Sequence, residues 1–319
     1  IGRRLSELIR DKVLFSEENK GRHAMRLVKK MKPGDVLLLE NLRFDEGEEK
    51  NSLKFARSLA LLGDVYINEA FSVCHREHAS VVALPGIMKH FAGPELSREF
   101  GFLSRVLDNP PRPLAVLIGG AKVATKIKVL KRFLKTADYL LLAGDVANTV
   151  LAVKGLWMGK PVPDEEEITL IKEINLTDPK IYLPVDVLAS VDSQGEHPVR
   201  AAGPGAVRQD EDVFDIGPET ISLYRDIIKE AKSVFWSGPL GCFEKEIFSN
   251  GTREIAQAIA DSSADLRLAG GGDTVAALRY FNLTDRFSFV STGGGAMLNF
   301  LAGERMPGLD ALGFVYERD

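Results

Sequence analysis

Lys122 and Lys126 stand four residues apart behind Gly119-Gly120, and Asp273-Thr274 directly follow Gly270-Gly271-Gly272. Similar glycine clusters lie at Gly144, at Gly238-Pro239-Leu240-Gly241 and at Gly293-Gly294-Gly295, each behind a short apolar run. Glycine lets the backbone approach a ligand closely, and a helix starting there offers free N–H groups to an anion. One helix terminus is worth only about 0.3–1 kcal/mol to a charge, so a single cluster means little. Five on one edge point to a phosphate-bearing ligand. The two lysines would project from one helix face toward that edge, and Asp273 is placed to hold Mg²⁺ beside phosphates. Each feature also has a plainer reading: a tight strand-to-helix turn for the glycines, a solvated surface pair for the lysines and an N-cap for Asp273.

A second group of chemistry-bearing residues lies earlier. Arg43 and Arg76 follow strand-like runs, and Arg3 lies near the start. Arginine at such an edge suits bidentate recognition of a carboxylate or phosphate. Cys74, His75 and His78 invite a metal-site or nucleophile-pair reading, but a third partner at suitable spacing is missing.

These residues must be positioned by alternating strands and helices. Apolar runs at 36–39, 65–67, 114–118, 139–142, 181–183, 234–236, 266–268 and 287–290 predict strands. Helical spacing covers 52–62, 96–107, 123–134, 147–155, 218–231, 252–260, 274–281 and 296–301. Such alternation requires parallel pairing with right-handed crossovers, hence open α/β sheets with their glycine turns at the carboxyl edge, where ligands bind. Residues 186–212 are weakly periodic and read as loops or short strands. Asp108-Asn109-Pro110-Pro111-Arg112-Pro113 breaks a helix and sets a domain boundary at 107/108. A length of 319 residues suits two domains, each with its own core.

Composition narrows the function classes. With 45% apolar and 27% charged residues the chain is ordinary globular material. Its net charge of −4 gives no overall support for nucleic-acid binding. The charge is uneven, net +3 over 1–112 and net −7 beyond, so an anion belongs to the first part. Two cysteines exclude a disulfide scaffold and suit a reducing compartment. No apolar run approaches the roughly 20 residues of a membrane span, and Ile1-Gly2-Arg3-Arg4-Leu5 lacks the apolar stretch of a signal peptide. The first residue is Ile1 rather than Met, which reads as a fragment or a processed product. Neither G-x-x-x-x-G-K-[ST] nor a strand-borne G-x-G-x-x-G occurs, so a P-loop enzyme or a common Rossmann dehydrogenase is not supported.

At these positions the sequence strongly resembles the phosphoglycerate kinase family. The resemblance is carried by Glu40-Asn41-Leu42-Arg43-Phe44, His75-Arg76-Glu77-His78-Ala79-Ser80, Gly119-Gly120-Ala121-Lys122-Val123 and Leu183-Pro184-Val185-Asp186. It continues through Asp215-Ile216-Gly217-Pro218, Gly270-Gly271-Gly272-Asp273-Thr274-Val275-Ala276-Ala277 and Ser291-Thr292-Gly293-Gly294-Gly295-Ala296. The resemblance implies two Rossmann-like α/β domains with parallel sheets joined by a hinge. They would transfer phosphoryl reversibly between 1,3-bisphosphoglycerate and ADP, with Mg²⁺, giving 3-phosphoglycerate and ATP. It implies a phosphoglycerate-binding domain at 1–107, a nucleotide-binding domain at 108–302, and a tail, 303–319, that returns to the first. Arg3, Arg43 and Arg76 match the positions that grip phosphoglycerate. Lys122 and Lys126 match the catalytic lysines at the nucleotide phosphates, and Glu244 the residue at its sugar. Gly271, Gly272, Asp273 and Thr274 match the phosphate and metal loop. Gly119, Gly120, Gly144, Pro239, Gly241, Gly293 and Gly294 complete the implied nucleotide site. The family is cytoplasmic and usually monomeric. Such chemistry needs alignment and charge stabilisation rather than a covalent nucleophile.

The chain also departs from the family. It starts inside a substrate motif, at Ile1-Gly2-Arg3, so two strands, an arginine and a histidine of the family pattern are expected to be missing, the first domain to be incomplete, and transfer to be severely reduced while nucleotide binding persists. Asp145 and Val213 stand for glycines near the adenine, Ser237 for an asparagine, and Thr125 is a milder change. A non-catalytic ADP- or ATP-binding protein is the alternative reading, and another phosphate-handling α/β transferase a third.

Overall fold

A computed structural model describes residues 1–160 and 162–318. Two compact units emerge: Ile1–Arg98 together with Arg305–Glu317, and Glu99–Glu304. The division thus falls inside the helix Pro94–Asp108, whereas the proline break had suggested its end. The reason is packing. From Glu99 onward this helix is bound into the second unit: Phe100 meets Phe300 edge-on at 5.6 Å, and Phe102 stacks on Phe289 at 4.8 Å. Residues 305–317 join the first unit because the Gly308 N–H donates to the Cys74 carbonyl at 2.8 Å and Arg305 pairs with Glu77 at 2.6 Å.

The second unit is built on a six-stranded, wholly parallel sheet. Its spatial order is Phe289–Ser291, Leu266–Gly270, Ser233–Ser237, Leu114–Ile118, Tyr139–Leu142, Ile181–Tyr182. Leu114–Ile118 and Ser233–Ser237 are buried at every position, as a central strand covered on both faces must be. Alternate side chains serve opposite faces. Phe235 stacks on Phe133 of the helix Val123–Thr136, while Val234 and Trp236 join a core with Tyr224, Ile228, Ile255 and Ile259 from the helices Pro218–Glu230 and Asn250–Asp261. The buried Tyr224 hydroxyl donates to the carbonyls of Leu142 and Tyr182, tying a helix to the ends of two strands.

The chain runs outward from Leu114–Ile118 on one side and later resumes beside it at Ser233–Ser237, in register Ser233 to Leu114. This reversal is a topological switch point, and the crevice at its carboxyl ends is where an open α/β sheet takes ligands. The weakly periodic stretch forms a separate antiparallel sheet, Asp212–Ile216 beside Val187–Ser190 beside Arg200–Ala202. Its loops are held to the main unit by buried Asp186, which accepts from the N–H groups of Glu219 and Thr220 at the start of Pro218–Glu230.

In the first unit, Val13–Ser16 pairs with Val36–Leu39 and Tyr66–Asn68 with His90–Ala92, both in parallel. Phe55, Ala56, Leu59, Ala79 and Leu84 form a core there. The strands Val13–Ser16 and His90–Ala92 and the helices Gly2–Ile9 and Gly21–Val28 had no distinct sequence signature. Each is short, and Ala24 is the one fully buried apolar side chain among them.

Candidate active site

The switch point brings two glycine turns against each other. The Gly119 N–H donates to the Ser237 carbonyl at 2.9 Å. A Cβ on Gly119 would collide with the Pro239 carbonyl oxygen, and one on Gly238 with the Gly119 backbone. Gly120 and Gly238 also have φ of +66° and +94°, where a side chain is strained. Both demands select glycine, so these residues are fixed by backbone contact.

Beside them lies a cavity of about 290 Å³. Gly120, Ala121, Gly144, Asp145 and Asn148 line one part; Pro239, Gly241, Cys242, Glu244 and Asp273 line another; and Pro184, Val187, Val213, Phe214 and Ile216 add an apolar wall. A slot with an apolar wall and a few polar groups is the form of a small-molecule site. Asp145 and Val213, expected near an adenine, both face it.

The lysines differ from each other. Lys122 has φ +63° and is the exposed N-cap of Val123–Thr136, so it lies outside the helix and the two do not share a helical face as spacing suggested. Lys126 is 6% exposed, and its ammonium donates to the Gly119 carbonyl at the crossing of the two turns. Burial pulls its pKa down to about 8; Asp273 and Asp145 oppose that fall, and Lys122 adds to it. Asp145 is shifted the other way, upward by burial and back by Lys126.

Asp273 sits in the first turn of Gly272–Tyr280, whose N-cap is Gly271 at φ +99°, so the capping reading does not describe it. Its carboxylate lines the cavity. Among the described residues no group of three or more His, Cys, Asp or Glu forms a ready-made metal cage. Asp273 fits instead the habit of Mg²⁺, which takes one or two carboxylates and completes its shell with phosphates and water.

Not every glycine-loop residue turns toward the cavity. Thr274 is fully buried, and its hydroxyl accepts the Gly238 N–H at 2.6 Å, so it braces the two loops. The Gly293 N–H is spent on the buried Glu99 carboxylate at 3.0 Å, which also accepts from the Ser291 hydroxyl. Gly294, at φ +54°, caps Gly295–Leu301. Ser237 is buried at the end of its strand. Sequence reasoning passed over Asn148, Asp215, Cys242 and Glu99. Asp215 and Pro184 lay in recognised motifs, but nothing marked Glu99, an acid on an otherwise ordinary helix. Burial raises Asp215 to about 7, although the Gly251 and Ile216 N–H groups favour its charged form. Burial, with Glu244, Asp145 and Asp215 nearby, raises the Cys242 thiol.

In the first unit, exposed Arg43 lies on the short 3-10 helix Leu42–Phe44, and exposed Arg76 follows His75. His75 is held below its ordinary pKa by burial, with Arg76, His78 and Arg43 adding to the fall. Arg3 stands on Gly2–Ile9 and lines a separate hollow with Glu40 and Asn41. His78 lies 3.6 Å from the buried carboxylate of Glu48, which also takes the Ser80 N–H and hydroxyl. That arrangement is structural, and Cys74 is buried, so neither the metal nor the nucleophile reading gains support.

A sequence model of phosphoglycerate kinase matches residues 1–304. The chain belongs to the phosphoglycerate kinase family. The phosphoglycerate kinases of Lactobacillus gasseri and Desulfosudis oleivorans are 38% and 40% identical to it, over 97% of this chain and 80% and 79% of theirs. The solved phosphoglycerate kinase of Coxiella burnetii superimposes with a TM-score of 0.85 at 37% identity, over 98% of this chain and 79% of that one. That of Pyrococcus horikoshii gives 0.85 at 34%, over 98% and 81%. The chain spans about four-fifths of the length of these phosphoglycerate kinases.

Proposed function

We propose that this member of the phosphoglycerate kinase family catalyses the glycolytic, reversible transfer of a phosphoryl group between 1,3-bisphosphoglycerate and ADP, with Mg²⁺. The carrying observation is the cavity at the switch point, with Gly120, Gly144, Gly241 and Asp273 in its wall and Lys126 buried at the crossing of two glycine turns. Pro184, Val187 and Val213 would receive the base, and Glu244 the sugar. The turns of 119–120 and 238–241 and the start of Gly272–Tyr280 would face the phosphates. Gly271, Gly272, Gly293 and Gly294 serve there through backbone shape, and Thr274 through loop bracing.

Lys126 is the residue we assign to the transferring group, with Lys122 at its approach. A buried ammonium stabilises charge developing on that group more strongly than a hydrated one. Asp273 would hold Mg²⁺, which neutralises phosphate charge when bound. Arg3, Arg43 and Arg76 on the first unit would grip the phosphoglycerate carboxylate and phosphate by bidentate hydrogen bonds. The substrates are small molecules; kinship further supports a cytoplasmic monomer without nucleic-acid partners. No helix among the described residues is long and apolar enough to cross a membrane.

A coupled assay of ATP consumption tests this. Turnover is expected only with 3-phosphoglycerate and Mg²⁺ both present, and other phosphate esters should not replace the acceptor. ADP binding without any acceptor-dependent turnover would overturn the proposal in favour of a non-catalytic nucleotide-binding protein.

A further inference from the structure

We propose that Asp215 is a positioning residue whose carboxylate, and not the protonated acid, holds the apolar strand and the glycine loop of the nucleotide cavity in the spacing that admits a nucleoside. This rests on the reading of that cavity as the nucleotide site. The strand Asp212–Ile216 gives Val213, Phe214 and Ile216 to the cavity wall, and the loop after Ser233–Ser237 gives Pro239, Leu240, Gly241 and Cys242. Asp215 also lines the cavity, yet it is only 2% exposed. A Cβ on Gly241 or on Gly251 would collide with its carboxylate, so the acid is wedged between the loop and the start of the helix Asn250–Asp261.

The hydrogen bonds at this point form a chain. One Asp215 oxygen accepts the Gly251 N–H at 2.7 Å, in the first turn of that helix, and the other accepts the Ile216 N–H at 2.9 Å. The next helix residue, fully buried Thr252, takes the Leu240 and Gly241 N–H groups on its hydroxyl oxygen at 3.0 and 3.3 Å. The Cys242 N–H donates to the Phe214 carbonyl at 2.8 Å. Asp215 thus fixes the helix start, and the helix start fixes the loop.

Both carboxylate oxygens are occupied as acceptors. A proton added to either makes that oxygen a donor and a poorer acceptor, which loosens the grip on Gly251 or Ile216. No lysine, arginine or histidine lines the cavity among the described residues, and the acids that do are Asp145, Glu244 and Asp273. Cys242 is the remaining titratable group there, and burial keeps it a thiol. The helix Asn250–Asp261 turns Arg253 to Asn250 and Glu254 to Arg225 at the surface, and the neighbouring strand Val187–Ser190 carries no ionisable side chain. With no cation to offset it, burial brings Asp215 to about 7, so the grip is lost as pH falls through neutrality.

Calorimetric titration with adenosine at pH 7.5 and pH 6 tests this in the wild type, Asp215→Asn and Asp145→Asn; adenosine has no phosphate and stays neutral in this range. Wild-type affinity is expected to drop about tenfold at pH 6, because it scales with the ionised fraction of Asp215. Asp215→Asn should bind at least about fivefold more weakly than wild type at pH 7.5 and equally at both pH values. Asp145→Asn should keep the wild-type pH dependence. Wild-type affinity that is flat in pH, an Asp215→Asn variant that binds like wild type at pH 7.5 or still responds to pH, or loss of the response in Asp145→Asn each overturn the proposal while the nucleotide site stands. If Asp215→Asn does not fold, the wild type and Asp145→Asn decide it by the same criteria. If the wild type binds neither adenosine nor ADP at pH 7.5, the site reading itself fails, and this inference with it.

Discussion

Replacing Lys126 with Met should make the protein more stable and less active at once. The side chain is 6% exposed and its pKa falls from 10.5 to about 8, with burial as the main cause. At about 1.36 kcal/mol per unit, holding the ammonium there costs the folded state on the order of 3 kcal/mol. Methionine keeps the length and apolar stem but leaves the Gly119 carbonyl without its donor, a loss of about 1 kcal/mol. The net gain at pH 7 is about 2 kcal/mol, or roughly 4–8 °C in Tm for a unit of this size. The sign of the pH dependence is determined. Between about pH 8 and 10.5 the unfolded lysine keeps a proton that the folded one has lost, so wild-type stability rises with pH across that window. Calorimetry at pH 7 and pH 10 should therefore find the variant ahead at the lower pH and the gap nearly closed at the higher. Transfer should fall by about 10²–10³, the usual cost of one lost charge-stabilising donor. A variant less stable than wild type at pH 7, or a gap that does not change with pH, would refute the buried-charge reasoning.

Gly238→Ala should destabilise the second unit by about 2–4 kcal/mol and abolish ADP binding, because the new Cβ meets the Gly119 backbone at positive φ; chemical denaturation and titration read both effects. Arg76→Gln should raise KM for 3-phosphoglycerate at least tenfold while leaving ADP affinity unchanged, which initial-rate kinetics and binding separate. Glu99→Ala should loosen the 291–295 loop by leaving the Ser291 hydroxyl without its acceptor and the Gly293 N–H with only its longer bond to the Ser291 hydroxyl oxygen, costing about 2 kcal/mol; amide exchange of Gly293 should quicken, and unchanged protection would argue against the anchor. Tyr224→Phe should cost about 1–2 kcal/mol with no change in kcat, since among the described residues its hydroxyl serves the carbonyls of Leu142 and Tyr182 alone.

The alternation of apolar runs with helical spacing was sufficient to specify the parallel sheet of the second unit, because buried parallel strands must be continuous in apolar character and their crossovers must be amphipathic. The glycine turns were legible for the same local reason: positive φ and close backbone approach tolerate little else, as Gly120 and Gly238 demonstrate. Tertiary structure alone decided which amides remained free, which acids faced the cavity and which helix belonged to which unit. Gly293 looked like an open anion turn until Glu99, distant in sequence, took its N–H. Lys122 and Lys126 looked alike until one proved to be an exposed left-handed cap and the other a buried ammonium. Spacing along a chain reports local geometry. Burial, charge shift and hydrogen-bond commitment depend on what the rest of the fold brings within a few ångströms, and no local pattern carries that information.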